Sequence, residues 1–169
     1  MERITEEPCP REAQQLLRIG RREHIDFPEW GVRRVRVKID TGAYSSALDV
    51  AGYELLQTPG GPVAELRLML NRRRPGAGRV VRAPVVGFTT VRSTTGCPQR
   101  RPVFSALVRL GPVNRRIRLT VTDRSRMRCR MLLGREALAG VFVVDVQGKD
   151  LLAQVSVPAS PPAGQRRPA

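Results

Sequence analysis

Val35-Arg36-Val37-Lys38-Ile39-Asp40-Thr41-Gly42-Ala43 is the stretch on which the reading of this chain turns. Val35, Val37 and Ile39 alternate with Arg34, Arg36 and Lys38, a period of two that describes a strand with one buried face. The strand runs out at Asp40, where Thr41 and Gly42 make a turn. Gly42 allows close backbone approach, and Thr41 offers a hydroxyl to backbone or to a neighbouring chain. A carboxylate placed there is lifted clear of the sheet yet held by rigid backbone, a suitable mount for a group that fixes a water. Asp-Thr-Gly is also an ordinary turn in which the aspartate caps the bend, so the surroundings decide between the two readings.

Outward from this point the chain continues to read as strands. Ile117, Leu119 and Val121 alternate with Arg118, Thr120 and Thr122, and Leu66, Leu68 and Leu70 alternate with Arg67 and Met69. Further β-type runs are Ala83–Val86, Val103–Leu110 and Val141–Val146. Pro59-Gly60-Gly61-Pro62, Pro75-Gly76-Ala77-Gly78 and Gly111-Pro112 separate them as turns. One short helix is expected at Arg135–Ala139, where Glu136, Ala137 and Leu138 favour it. Many short strands with frequent turns define an all-β barrel or sandwich. Residues 1–18 read as a polar extension with a helical patch around Glu12–Leu17, residues 19–152 as the folded domain, and 153–169 as a disordered Pro- and Arg-rich tail.

With 169 residues the chain is sized for one domain. Its formal net charge is +15, and the arginines lie opposite the apolar residues of each strand. Such a surface is either a merely solvated face or one that attracts nucleic acid, an anionic membrane or an acidic protein. The cysteines stand at 9, 97 and 129, an odd number without C-x-x-C, which fits a reducing compartment better than a disulfide framework or structural zinc. The N-terminus has no apolar h-region, and no stretch is long and apolar enough for a membrane span. A cytoplasmic protein without membrane attachment is expected. His24 is the single histidine, so a catalytic zinc lacks its usual ligands, and no G-x-x-x-x-G-K-[ST] loop is present for ATP. No metal and no cofactor are expected.

About ninety residues after Asp40 comes Leu132-Leu133-Gly134-Arg135, an apolar strand and a glycine, with Arg135 opening the short helix. With Asp40-Thr41-Gly42-Ala43 this pair, in this order, resembles the retropepsins, the single-lobe aspartic peptidases. A bacterial branch that has carried the label "ATP-dependent zinc protease" is more similar still. Its features recur as Ile19-Gly20-Arg21-Arg22-Glu23, Lys38–Ala43, Ser46-Ala47-Leu48, Ala83-Pro84-Val85-Val86 and Met127–Arg135, with Phe142–Asp145 following. The resemblance covers about residues 19–150 and implies a closed acid-protease barrel with one short C-terminal helix.

The resemblance also implies a mechanism: two chains each supply one Asp-Thr-Gly, and the paired aspartates hold a water between them. Asp40, Thr41 and Gly42 are then the catalytic motif, and Leu132, Leu133, Gly134 and Arg135 its structural counterpart. Ala43 lies with a hairpin flap, here Ser93, Thr94, Thr95 and Gly96, on the substrate. Only one Asp-Thr-Gly exists, so the dyad requires a homodimer. Many viral relatives carry an aspartate after the alanine to pair with the late arginine. Here Tyr44 stands in that place, and Arg135 needs another partner such as Asp49 or Asp145. Some members of the branch are encoded beside an enzyme that adds glutamates to a ribosomal protein, which implies acidic or glutamate-extended tails as substrate and is compatible with ribosome association. Two alternatives stay open: a catalytically inactive retropepsin-fold module that binds peptide or ribosome, and a nucleic-acid binder, for which few aromatics are available to stack on bases.

Overall fold

The computed structural model describes residues 16–69, 78–92 and 98–154. Among the described residues ten strands are present: β1 Leu17–Gly20, β2 Arg22–Phe27, β3 Val32–Ile39, β4 Ser46–Thr58, β5 Gly61–Leu68, β6 Arg79–Arg92, β7 Pro98–Leu110, β8 Val113–Thr122, β9 Met131–Leu133 and β10 Phe142–Asp145. The one α-helix among the described residues, α1, spans Arg135–Leu138. Eight strands form a sheet in the order β2-β3-β9-β4-β5-β6-β7-β8, and extra pairings of β4 with β8 and β2 with β7 bring the sheet round onto itself. The chain is therefore the all-β, nearly closed barrel with one short helix that its sequence implies. β1 and β10 pair in parallel as a separate two-stranded sheet.

The alternation in the sequence becomes the wall of the barrel. Val35, Val37 and Ile39 of β3 are buried while Arg34, Arg36 and Lys38 face outward. Leu66 and Leu68, Phe104, Ala106 and Val108, and Ile117, Leu119 and Val121 supply the same face from β5, β7 and β8. Each large aliphatic side chain so enclosed contributes about 1.5–3 kcal/mol. The scarce aromatics are concentrated: Phe27 stacks on Trp30 with ring centroids 4.6 Å apart, and Phe104 closes the group at 6.5 Å.

β4 is the strand that periodicity does not announce, because its halves have different neighbours. Ser46–Asp49 is flanked by β8 on one side and, over Ala47 and Leu48, by β9 on the other, and Asp49 is buried as well as Ser46 and Leu48, so no clean alternation shows. After a bulge between Val50 and Gly52 the strand pairs with β5 as a long hairpin and is mostly exposed. Leu17, the last residue of the expected helical patch, is in β1 because it pairs with Phe142. The rest of that patch from Glu12 to Gln15, and residues 155–169 of the tail, lie outside the described residues.

Two buried carboxylates tie separate segments of the described chain together. Glu23, 1% exposed, accepts the N–H groups of Gly20 at 2.7 Å, Leu151 at 3.0 Å and Leu152 at 3.3 Å. Asp49 is paired in the interior with Arg130 and also accepts the Arg124 N–H at 2.6 Å.

Candidate active site

The Asp40 loop joins β3 to β4, yet these strands are not neighbours. β9 lies between them, parallel to β3 through Val37–Met131, Lys38–Leu132 and Ile39–Leu133, and antiparallel to β4. The chain must arch over the end of β9 to pass from one to the other. The two sequence motifs, ninety residues apart, consequently meet at one place.

Backbone bonds knit them together. The Asp40 N–H donates to the Leu133 carbonyl at 3.0 Å, the Arg135 N–H to Ala43 at 2.9 Å, and the Glu136 N–H to Tyr44 at 3.1 Å. Gly134 donates to the Ser46 hydroxyl at 3.1 Å. A Cβ at Gly134 would stand 2.5 Å from the Ser45 carbonyl oxygen and 2.6 Å from that of Tyr44, so no other residue fits without displacing the loop. Arg135 reaches the Thr41 carbonyl at 2.7 Å. It pairs with neither Asp49 nor Asp145, the partners the sequence suggests. Arg130 occupies the first and Arg18 the second, and the Arg135 guanidinium holds the backbone of the loop instead.

The Asp40 side chain is partly exposed and oriented from two sides. Its Oδ1 accepts the Gly42 N–H at 3.2 Å, and a Cβ at Gly42 would crowd the same oxygen at 3.3 Å. Its Oδ2 receives the Lys38 ammonium at 3.1 Å. Partial burial alone raises the carboxyl pKa, but the Lys38 ammonium and the Gly42 and Ala43 amides outweigh it and hold Asp40 below the usual carboxylate value. Lys38 is the site residue that motif reading passes over. The signal was available, since residues two apart on a strand share a face.

Beside the loop lies a cleft of about 340 Å³, lined by Tyr44 and Ser45, by Val86–Thr89 of β6, and by Val103, Arg118, Leu119, Thr120 and Glu136. Its walls are mixed: Val86, Phe88, Val103 and Leu119 are apolar, while Ser45, Thr89, Thr120 and the Arg118–Glu136 ion pair are polar. A hollow of about 650 Å³ lined by Tyr53, Arg100 and Asp123, among others, includes no residue of the Asp40 loop. Tyr44, in the place of the viral aspartate, is exposed. β6 and β7 form the hairpin shaft up to Arg92–Pro98. Ser93, Thr94, Thr95 and Gly96, the expected flap, lie outside the described residues, as does most of the loop at 72–79.

No cluster of three or more potential metal ligands occurs among the described residues. His24 is half-buried and pairs with Asp150 through Nδ1 at 3.0 Å. No helix among the described residues is long and apolar enough to cross a membrane.

A strand inserted between the two arms of an Asp-Thr-Gly loop, with Gly-Arg leading from it into a short helix, defines the retropepsin-like class of β-barrel. Within it, residues 18–153 match the family described as "Retropepsin-like aspartic endopeptidase RimB", and the chain belongs to that RimB-like family. A solved structure of similar fold is a protein of unknown function, Lpg0085 from Legionella pneumophila, with a TM-score of 0.68, 22% identity, and coverage of 80% of this chain and 97% of that one. Curated relatives include a "Probable alpha-L-glutamate ligase" of Shewanella pealeana, 31% identical over 75% of this chain, and one of Desulfotalea psychrophila, 29% identical over 82%. The match covers 28% and 30% of those two proteins, so this chain spans under a third of the curated relatives it resembles.

Proposed function

We propose that the chain is a homodimeric aspartic endopeptidase in which Asp40 of each protomer contributes one half of a catalytic dyad. The observation that carries this reading is the mounting of Asp40: a carboxylate oriented by the Gly42 N–H, on a loop fastened by Leu133, Gly134 and Arg135. Bringing two such carboxylates together about a two-fold axis makes them share a proton, because neighbouring like charges do not both ionise easily. One carboxylate then acts as general base on a water and the other hydrogen-bonds the scissile carbonyl, with pKa values that belong to the pair.

The second carboxylate has to come from a second copy. Asp26 is bound to Arg109, Asp49 to Arg130, Asp123 to the Ser125 N–H, Asp145 to Arg18 and Asp150 to His24. The cleft beside Tyr44 and Phe88 offers room for a substrate side chain.

For substrate, an acidic or glutamate-extended protein tail fits best. The outward faces of β3 and β8 carry Arg33, Arg34, Arg36, Arg116 and Arg118, and a basic surface steers polyanions. Relatives named as glutamate ligases contain a region similar to this chain. The matching reaction is hydrolysis of bonds that such a ligase forms. Incubation of the purified chain with acidic peptides between pH 4 and 8 tests this. Hydrolysis by the wild type that disappears in a folded, dimeric Asp40→Asn variant is expected; unchanged turnover in that variant refutes it.

A second reading, a binding module without catalysis, draws on the Lys38 ammonium seated on Asp40 and on Tyr44 in place of an acidic neighbour. It predicts peptide or ribosome binding without cleavage in the same assay. A purely nucleic-acid-binding role predicts affinity falling steeply with salt, and affinity indifferent to salt dismisses it.

A further inference from the structure

The Lys38–Asp40 contact differs from the rest of the ionic surface. Of 30 cationic side chains only Lys38 and Lys149 are lysines. Every other Asp or Glu ion pair among the described residues uses arginine, apart from His24–Asp150. Lysine therefore stands against the one carboxylate for which a grip matters. An arginine in this position presents a rigid two-pronged fork that locks onto a carboxylate, whereas an ammonium is a mobile point charge on a flexible stem. The Lys38 side chain is 54% exposed and that of Asp40 25%, so the pair opens at little cost.

Opening also makes Asp40 a better base. A general base works through an oxygen lone pair, and the ammonium, 3.1 Å from Oδ2, takes up one of the two on that oxygen and draws charge from the carboxylate. The groups opposite Lys38 offer no second anion: Arg22 faces it from β2 and Leu132 from β9, while Arg36 is outward on its own strand. Within the described chain no other carboxylate faces Lys38, and a substrate bound over the Asp40 loop brings one.

We propose that Lys38 is a specificity-determining residue: its ammonium takes a carboxylate of the bound substrate beside the scissile bond, and in leaving Asp40 for that carboxylate it frees the oxygen on which hydrolysis depends. This rests on the endopeptidase reading and adds to it a cause for preferring acidic residues next to the cut, where a diffuse basic surface selects only for overall charge. Lysine stays protonated throughout, so the exchange is one of ionic partners.

Fluorescent penta-glutamate and penta-glutamine peptides, titrated into the full chain, test it by anisotropy, with thermal melts confirming that each variant is folded. Asp40→Asn removes the competing carboxylate and is expected to bind penta-glutamate about fivefold more tightly than wild type. Lys38→Met is expected to bind it about fivefold more weakly, and Arg36→Gln within about twofold. Penta-glutamine is expected to distinguish none of these. In hydrolysis, Lys38→Met raises KM for the glutamate peptide alone, and Lys38→Arg preserves its binding while lowering kcat. Equal penta-glutamate affinity in wild type and Lys38→Met, equal losses for both peptides, or no binding by any variant overturns the proposal. If the affinity order holds while wild type cleaves nothing, the endopeptidase reading falls and the role of Lys38 as a carboxylate receptor stands. Asp40-dependent cleavage that Lys38→Met leaves unaltered has the opposite meaning.

Discussion

Gly134 shows how much of the site rests on a missing side chain. A Cβ there would meet the Tyr44 and Ser45 carbonyls, which are backbone and do not yield as a flexible side chain would. Gly134→Ala is expected to cost about 1–3 kcal/mol through overpacking and to displace the Asp40 loop, which chemical denaturation and peptide hydrolysis together would register. Arg135 acts on the same loop from the other side. Arg135→Met removes the bond to the Thr41 carbonyl while leaving the barrel wall untouched, so hydrolysis should fall about tenfold or more with a much smaller change in melting temperature. Loss of stability without loss of turnover would assign Arg135 to the fold alone. Asp40, Gly134 and Arg135 were all legible in the sequence as motif residues. The bond from Arg135 to a backbone carbonyl was not, because an arginine in a sequence points to a carboxylate rather than to main chain, and both candidate aspartates belong to other arginines.

At the scale of elements, β9 is the piece that makes the site. Three residues long, it separates β3 from β4 and obliges the chain to form the loop that carries Asp40. Just before it, Arg130 reaches the buried Asp49 of β4 and fastens the entry to β9. Arg130→Met leaves that carboxylate without a counter-charge and is expected to destabilise the chain by about 3–5 kcal/mol, whereas the double variant Asp49→Leu/Arg130→Met should recover much of the loss. Urea titration of the three proteins gives the comparison, and equal destabilisation of single and double variants would count against an ionic origin. Strands whose faces differ in environment, such as β3, β5, β7 and β8, were readable from alternation. β4 was not, since its first half buries Asp49 as well as Ser46 and Leu48 and its second half is mostly exposed, and β1 and β2 are too short or too polar to stand out by period. Glu23 and His24 in β2 disguise a strand whose Ile25 and Phe27 are fully buried.

For the whole molecule, the ionic network sets the response to pH. An ion pair with Arg18 holds Asp145 below its ordinary 3.8, and Arg116 does the same for Glu29 below 4.5. For Asp26 partial burial acts in the opposite sense, but the Arg34 amide and Arg109 prevail. Groups with depressed folded-state values bind fewer protons folded than unfolded across that range, so stability rises with pH through it. The contribution is complete above about pH 4.5 and is lost as pH falls below 3.8 through the depressed values. Melting temperatures should accordingly be level near neutrality and decline on acidification in that window; a melting temperature that climbs on acidification would contradict the assignment.

The dimer and the dyad are tested together by mixing wild-type and Asp40→Asn chains in varied proportion, allowing subunits to exchange, and measuring peptide hydrolysis at constant total protein. If each active site needs Asp40 from both protomers, activity follows the square of the wild-type fraction, so an equal mixture retains about a quarter. Activity proportional to the wild-type fraction, leaving about half, would mean that a single chain cleaves peptide without the second aspartate.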